Sequence, residues 1–444
     1  MSSERTDDTI VAIATPPGRG GVGMIRISGS LAFPIATTIA GPLPSPRTAA
    51  HRALHDATGP LDSGLVLCFA APRSYTGEDV VELQCHGSPV VLDLLVQRAL
   101  ELGAQPAAPG EFTQRAFLNN RLDLAEAEAV ADLIDARSAA AARAAQRSLS
   151  GEFSRRVSKL ALALEQLRIE VEASIDFVEE DLQLQEEAGI RPRLEHVRTD
   201  IAELVAAAGQ GRLLAEGCSV VIAGRPNAGK SSLLNALSGT DAAIVTDQPG
   251  TTRDVLREQI QIDGLPVTLL DTAGLRDATD LIEAEGIRRA KASIAAADHV
   301  LYLVDASDTE AVAASADEMA AFAREATTTV VYTKVDLVSS TPTGGLSISL
   351  KTGAGLSALR AQLLQLLGYT GTNESVLSAR RRHLDALNQT RQCLDTAIRQ
   401  AAVGATDLLA EELKLAHAAL GAITGRLTSD ELLGKIFASF CIGK

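Results

Sequence analysis

The chain has 444 residues, 46% of them hydrophobic and 22% charged, with a formal net charge of −15, 3% aromatic residues and no tryptophan. That length holds about three domains' worth of core, the aromatic-poor, Ala/Leu-rich composition favours helix, and the negative balance excludes broad nonspecific attraction to nucleic acid or anionic lipid while leaving room for a local basic site. The five cysteines, Cys68, Cys85, Cys218, Cys393 and Cys441, are odd in number and lack paired metal-ligand spacing, which argues against a disulfide framework or zinc site and for a reducing compartment.

The opening stretch MSSERTDDTIVAIA carries acidic residues and no apolar core behind a basic segment, and no apolar run reaches membrane-spanning length. A cytoplasmic protein without membrane association is the expectation. Residues 1–120 alternate β-like runs (9–14, 65–69, 80–84) with Gly/Pro punctuation and predicted helices near 31–40 and 89–102, the pattern of an α+β domain. From 121 to 212 apolar residues recur at three- and four-residue intervals, as in Leu160, Leu164, Leu167, Val171 and Ile175, which predicts long amphipathic helices. Over 213–370 apolar strands alternate with helical stretches, as in a parallel sheet covered on both faces. Helical composition returns over 375–444. The expected fold class is therefore multidomain α/β plus α, with the α/β unit inserted into a helical domain formed by 121–212 and 375–444. Arg137, Arg143, Arg147, Arg155, Arg156 and Lys159, and the run Arg380-Arg381-Arg382-His383, read either as solvated helix faces or as an RNA contact.

The chemistry-bearing motifs lie in the central segment. Gly224-Arg225-Pro226-Asn227-Ala228-Gly229-Lys230-Ser231 fits the pattern GxxxxGK(S/T) between the apolar run 219–223 and the helical run 232–237. In such a loop Asn227, Ala228, Gly229, Lys230, Ser231 and Ser232 form the phosphate-binding set, Lys230 reaching the outer phosphates and the Ser231 hydroxyl holding Mg²⁺. Gly250-Thr251-Thr252-Arg253-Asp254 supplies hydroxyls from a polar loop, and one threonine, Thr251 or Thr252, can complete the Mg²⁺ shell only while the third phosphate is present. Asp271-Thr272-Ala273-Gly274 ends the strand 267–270 and places a carboxylate near Mg²⁺ and a Gly N–H near the terminal phosphate. Thr333-Lys334-Val335-Asp336 follows the strand 330–332; a carboxylate there accepts hydrogen bonds from guanine N1–H and its exocyclic amine, a pair adenine lacks. Asp336 thus marks GTP, with Ser349-Leu350-Lys351 as the supporting base loop. Leu275 follows the Asp-x-x-Gly motif where many GTPases carry a water-orienting Gln, and four carboxylates (Asp277, Asp280, Glu283, Glu285) lie just beyond. Physics alone does not choose among them, and Arg253 and Arg276 read equally well as ion-pair residues.

The central motifs resemble the translation-factor-like small GTPases, and the whole chain resembles the MnmE (TrmE) family of tRNA-modification GTPases. That resemblance covers essentially all 444 residues, resting also on Thr15-Pro16-Pro17-Gly18-Arg19-Gly20-Gly21-Val22-Gly23, Gly77-Glu78-Asp79-Val80-Val81-Glu82, Pro109-Gly110-Glu111-Phe112 and Phe440-Cys441-Ile442-Gly443-Lys444. It implies that Glu283 orients the attacking water. It also implies a K⁺ beside the phosphate loop, held by Asn227 with Thr246, Gln248 and Thr251 from a loop that includes Asp247, Pro249 and Gly250, so that turnover depends on K⁺ and on association of two GTPase domains in a homodimer. The N-terminal domain would form the dimer and bind a 5-formyl- or methylene-tetrahydrofolate through Arg26, Glu82, Arg121 and Lys444. The work implied is addition of a carboxymethylaminomethyl or aminomethyl-type group to C5 of uridine 34 in tRNA, with an MnmG-type FAD protein as partner in a heterotetramer or larger assembly. Cys441 reads either as a reactive thiol in that chemistry or as a small apolar anchor for the tail. Two positions depart from the family: Thr333 stands where Asn is more frequent, and Arg121 where Lys is. A GTP-driven switch or ribosome-assembly factor without base chemistry is the competing expectation.

Overall fold

The computed structural model describes residues 8–176, 189–238, 257–271, 297–322, 327–371, 376–425 and 430–443. Inter-residue contacts divide the chain into two compact units, one of 1–131 with 418–444 and one of 132–417. In chain order the elements begin β1 (Ile10–Ile13), β2 (Gly20–Ser28), α1 (Ala32–Ala40), β3 (Ala50–His55), β4 (Pro60–Phe69), β5 (Val80–Gly87), α2 (Pro89–Glu101), β6 (Gln105–Pro106) and α3 (Glu111–Leu118). They continue α4 (Leu124–Ile134), α5 (Ala139–Leu149), α6 (Glu152–Asp176), α7 (Ile190–Glu216), β7 (Cys218–Gly224), α8 (Lys230–Ser238), β8 (Arg257–Ile262) and β9 (Leu265–Asp271). The rest are β10 (His299–Asp305), α9 (Thr309–Phe322), β11 (Thr328–Thr333), β12 (Leu346–Ser347), α10 (Leu356–Leu366), α11 (Arg381–Ala402), α12 (Thr406–Thr424) and α13 (Asp430–Ala438). This is the mixed α/β and helical architecture expected.

In the first unit six strands form one sheet in the order β3-β4-β5-β2-β1-β6, antiparallel throughout except for the parallel β1–β6 pair. Alternation along the strands gives the sheet two different faces. Ile25, Ile27 and Leu83 point toward α1 and α2, packing with Ile35, Ile39 and Leu95. Helix α2 starts with Pro89 at its first turn, where a missing N–H costs nothing. Arg26 alternates with Ile25 and Ile27, and it pairs across the sheet with Glu82 on β5. On the smaller side Ile10, Ala12, Ala107 and Phe112 cluster with Tyr75.

The C-terminal residues complete this unit. Phe437 and Phe440 pack with Leu124, Ala127 and Phe117. Gly110, left-handed at φ 68, caps α3; a Cβ there would stand 2.6 Å from the Phe437 carbonyl oxygen, so no larger residue fits. The Gly110 N–H donates to the Cys441 carbonyl at 3.2 Å. Gly443 approaches β1 so closely that a Cβ would lie 2.4 Å from the Ile13 carbonyl oxygen.

The second unit contains a sheet in the order β12-β11-β10-β7-β9-β8, parallel except for the antiparallel β8–β9 edge. Strand β10, His-Val-Leu-Tyr-Leu-Val-Asp, is buried along almost its whole length, as strands covered on both faces are. Val220, Ile222, Leu301 and Leu303 pack on one side with Leu233 of α8 and Leu359 of α10, and Val221, Ala223, Tyr302 and Val304 pack on the other with Ala311 of α9. The long helix α7 packs against α5, α6 and α11. At Gly211 it takes the 376–379 backbone directly: a Cβ there would collide with the Leu377 carbonyl oxygen at 1.6 Å. That segment is further held by Arg147, whose Nε and Nη2 donate to the Val376 carbonyl at 2.9 and 2.6 Å, and by Asp132, which accepts from Ser378 Oγ at 2.5 Å and Arg380 Nη2 at 2.9 Å.

Candidate functional site

The phosphate loop joins β7 to α8 at the carboxyl edge of the parallel sheet, where open α/β sheets bind ligands. Its turn needs three positive φ angles: Gly224 at 148°, Asn227 at 61° and Gly229 at 93°. Gly224 is required by contact as well, since a Cβ would meet the Leu303 carbonyl oxygen of β10 at 2.4 Å. Lys230 is buried, and its Nζ donates to the Gly224 and Arg225 carbonyls at 3.1 and 2.9 Å. The ammonium thus fills the curl of its own loop, a cationic centre that phosphate oxygens can take over. Asn227, Ser231 and Ser232 are exposed at the loop and the N-terminus of α8, where backbone N–H groups and the helix dipole favour an anion.

The base side closes around the same loop. Thr333, fully buried at the end of β11, donates through Oγ1 to the Ala228 carbonyl at 2.8 Å. The same hydroxyl also lies 3.3 Å from the Val304 carbonyl, so its single proton is used within the fold. Lys334 is left-handed at φ 56, which turns its ammonium onto Asp305 at 2.5 Å. Asp305 was not anticipated from sequence; burial pushes its carboxyl up, but hydrogen bonds from Lys334 and Ser307 outweigh this and hold it below its ordinary value. An acidic residue at the end of a buried parallel strand was the available signal. Asp336 lies on the 3₁₀ turn Val335–Leu337 and accepts from Ser349 Oγ at 2.6 Å, which holds its carboxyl below the ordinary range. Ser349 is buried and Lys351 exposed; a Cβ on Gly229 would lie 3.4 Å from Leu350 Cδ1, so the base loop sits against the phosphate loop. The backbone of Asp271 pairs with Ile222, two residues before the phosphate loop begins. Thr246, Asp247, Gln248, Pro249, Gly250, Thr251, Thr252, Thr272, Ala273, Gly274 and Glu283 lie outside the described residues.

A second cluster forms in the first unit. Arg26 sits within β2, and its side chain is only 17% exposed. Its Nε and Nη2 donate to Glu82 Oε1 at 3.1 and 2.9 Å, and its Nη1 to the Gly443 carbonyl at 3.4 Å. The guanidinium carbon lies 5.5 Å from the Tyr75 ring centre and 5.7 Å from that of Phe112, within cation–π range. Burial pushes the Tyr75 phenol up, and its hydroxyl pairs with Thr113 at 2.9 Å. Among the described residues Glu82 Oε2 has no hydrogen-bond partner, which leaves a carboxylate oxygen beside the Arg26 guanidinium for a further donor. Arg121 is exposed beside Gly77, whose Cβ would lie 3.3 Å from Arg121 Cγ; no hydrogen bond joins it to Arg26 or Glu82. Cys441 is exposed while Phe440 is buried, so packing of the tail falls to the ring rather than the thiol. Lys444 lies outside the described residues.

Of the basic candidates, Arg147 and Arg380 are spent on the contacts described above, whereas Arg137, Arg143, Arg155, Arg156, Lys159 and Arg381 are exposed. They do not share one helix: Gly151, at φ 81, separates α5 from α6.

Comparison with known proteins covers both units. The family described as "GTP-binding protein TrmE N-terminus" matches residues 9–121, and the one described as "MnmE helical domain" matches 124–441. The chain is 53% identical over 450 residues to a tRNA modification GTPase MnmE of Stutzerimonas stutzeri, covering 98% of this chain and 99% of that one. It is 53% identical over 456 residues to one of Pseudomonas aeruginosa and 52% over 449 residues to one of Chromohalobacter salexigens, again covering 98% of this chain and 99% and 98% of theirs. Among the described residues no helix is long and apolar enough to cross a membrane.

Proposed function

The chain belongs to the MnmE family of tRNA modification GTPases, and we propose on that premise how its two clusters divide the labour. It is a GTPase, using GTP with Mg²⁺, and it acts in tRNA modification. The finer reading is that it modifies C5 of the wobble uridine, position 34, adding an aminomethyl or carboxymethylaminomethyl group together with an MnmG-type FAD protein in a heterotetramer or larger assembly. Residues 1–120 form the folate-binding and dimerisation domain of a homodimer, 121–212 with 375–444 the helical domain, and 213–370 the GTPase domain. The family matches meeting between 121 and 124 support the first boundary.

On GTP entry Lys230 exchanges the Gly224 and Arg225 carbonyls for phosphate oxygens, Ser231 and Thr252 hold Mg²⁺ with Asp271 nearby, and Asp336 reads guanine while Ser349 fixes its carboxylate. Glu283 orients the attacking water. Asn227, Thr246, Gln248 and Thr251 hold K⁺, a positive charge where no arginine finger is evident in the sequence; Asn227 is exposed in the loop, as that role requires. In the first unit Glu82 accepts from the aminopyrimidine edge of a folate, with Arg26 orienting the carboxylate and Arg121 and Lys444 at the polar rim. The folate supplies the one-carbon unit. Cys441 takes part in this chemistry through its thiol, a reading that its exposure supports over a buried apolar anchor.

The observation that carries the reading is the Arg26–Glu82 pair, its guanidinium within cation–π range of Tyr75 and Phe112, in the same chain as the GTP loop set. Mass spectrometry of wobble nucleosides from a deletion strain tests it: loss of the modified uridine supports it. Normal wobble nucleosides with accumulated ribosomal precursors would instead establish the switch or ribosome-assembly reading.

A further inference from the structure

Arg225, the first variable residue of the phosphate loop, reaches toward α9. Its Nε and Nη2 donate to Glu318 Oε1 at 3.0 and 2.6 Å. The other oxygen of the same carboxylate, Oε2, accepts from the hydroxyl of Tyr302. Tyr302 lies on β10, only 3% exposed, and pairs in the sheet with Ala223, the residue before the loop begins. One carboxylate on α9 is thus held from beneath by the sheet and itself holds the loop. Arg225 also works through its backbone, since its carbonyl accepts from Lys230 Nζ at 2.9 Å. The next two residues, Pro226 with its fixed φ and Asn227 at φ 61, give the loop little freedom to absorb a displaced Arg225. Glu318, Arg225 and Lys230 therefore form a continuous chain from helix surface to phosphate-binding ammonium.

We propose that Glu318 is a positioning residue for nucleotide binding: acting through Arg225 and braced by Tyr302, it keeps the phosphate loop near its bound shape before the ligand arrives. A loop ordered in advance loses less entropy on binding, and a charge-assisted pair of donors to one carboxylate is suited to that ordering. Glu318 touches no phosphate; its effect is on ground-state binding, which alters affinity more than turnover. The two side chains are 36% and 33% exposed, so the effect is that of a partly solvated pair rather than a buried one.

The test is a double-mutant cycle on the full chain, reading GDP affinity with Mg²⁺ by calorimetry, GTP turnover, and melting temperature without nucleotide. E318A is expected to weaken GDP roughly threefold to fivefold, the size of such a pair, with kcat changed by less than about twofold. R225A is expected to weaken it at least as much, and R225A/E318A no more than R225A alone, because the second change removes an interaction already lost. Unchanged GDP affinity in E318A, even with a lowered melting temperature, overturns the proposal, as does a double variant whose losses simply multiply. Because the loop still binds GDP in every arm, failure here leaves the GTPase assignment standing.

Discussion

The nucleotide loop and the Arg26 cluster are assembled in opposite ways. The loop's cationic centre is built locally, with Lys230 donating to carbonyls five and six residues away. The Arg26 cluster draws its partners from 56 and 417 residues away. A local site is written in one stretch of sequence and survives as a motif, while a non-local site exists only once sheet, helix and tail have met. The first depends on backbone conformation, the second on burial of a charged pair whose side chains are 17% and 16% exposed.

If the two sites are independent, each should break without the other. The largest effect is expected for Lys230→Ala, which removes the loop's cationic centre and should cut GTP turnover by about 10²-fold or more; calorimetry should still find 5-formyltetrahydrofolate binding at the first unit. Glu82→Gln comes next. It leaves the Arg26 guanidinium short of its counter-charge and should cost about 2 kcal/mol in folate binding or unfolding stability, with kcat for GTP within about twofold of the parent; a parallel fall in GTP turnover would show that the sites are coupled. Thr333→Val sharpens the comparison within the GTPase region, because it deletes a long-range hydroxyl contact to the phosphate loop. It should cost about 1 kcal/mol in GDP affinity while preserving preference for guanine over adenine nucleotides, measured by competition.

The smallest effect concerns pH. The Asp305 carboxyl is held below its ordinary value in the folded chain, so its contribution is present above the unfolded value of about 4 and is lost as pH falls through the folded value. Melting temperatures below about pH 4 should therefore fall less steeply in Asp305→Asn than in the parent, a difference of about 1 kcal/mol or less for this partly solvated pair with Lys334.

The same contrast explains what was legible in the sequence. The strand-loop-helix around Gly224 and Lys230, the Asp336 and Ser349 pairing, and helices α1 and α2 follow from patterns only a few residues long. Strand β2 was not among the predicted β-like runs because its Gly20-Gly21-Val22-Gly23 start hides it, and the pairing of Arg26 with Glu82 shows only when β5 lies alongside. Arg147 and Arg380 looked like members of basic runs, yet Val376 and Asp132 claim them through contacts spanning 229 and 248 residues. Thr333 sits between these cases: its departure from Asn was plain, but only its burial against Ala228 shows what its hydroxyl holds.

The carbonyl of Gly443 against Arg26 has a consequence in time. Residue 26 leaves the ribosome long before residue 443 is made, and at about 5–20 residues per second the 417 intervening additions take roughly 20–80 s. Through that interval the nascent first sheet must hold its guanidinium with Glu82, Tyr75 and Phe112 but without the Gly443 carbonyl, and with Ile13 still uncovered by Gly443. The Arg26 cluster is therefore among the last parts of the molecule to be finished, although its first residue is among the earliest to be born.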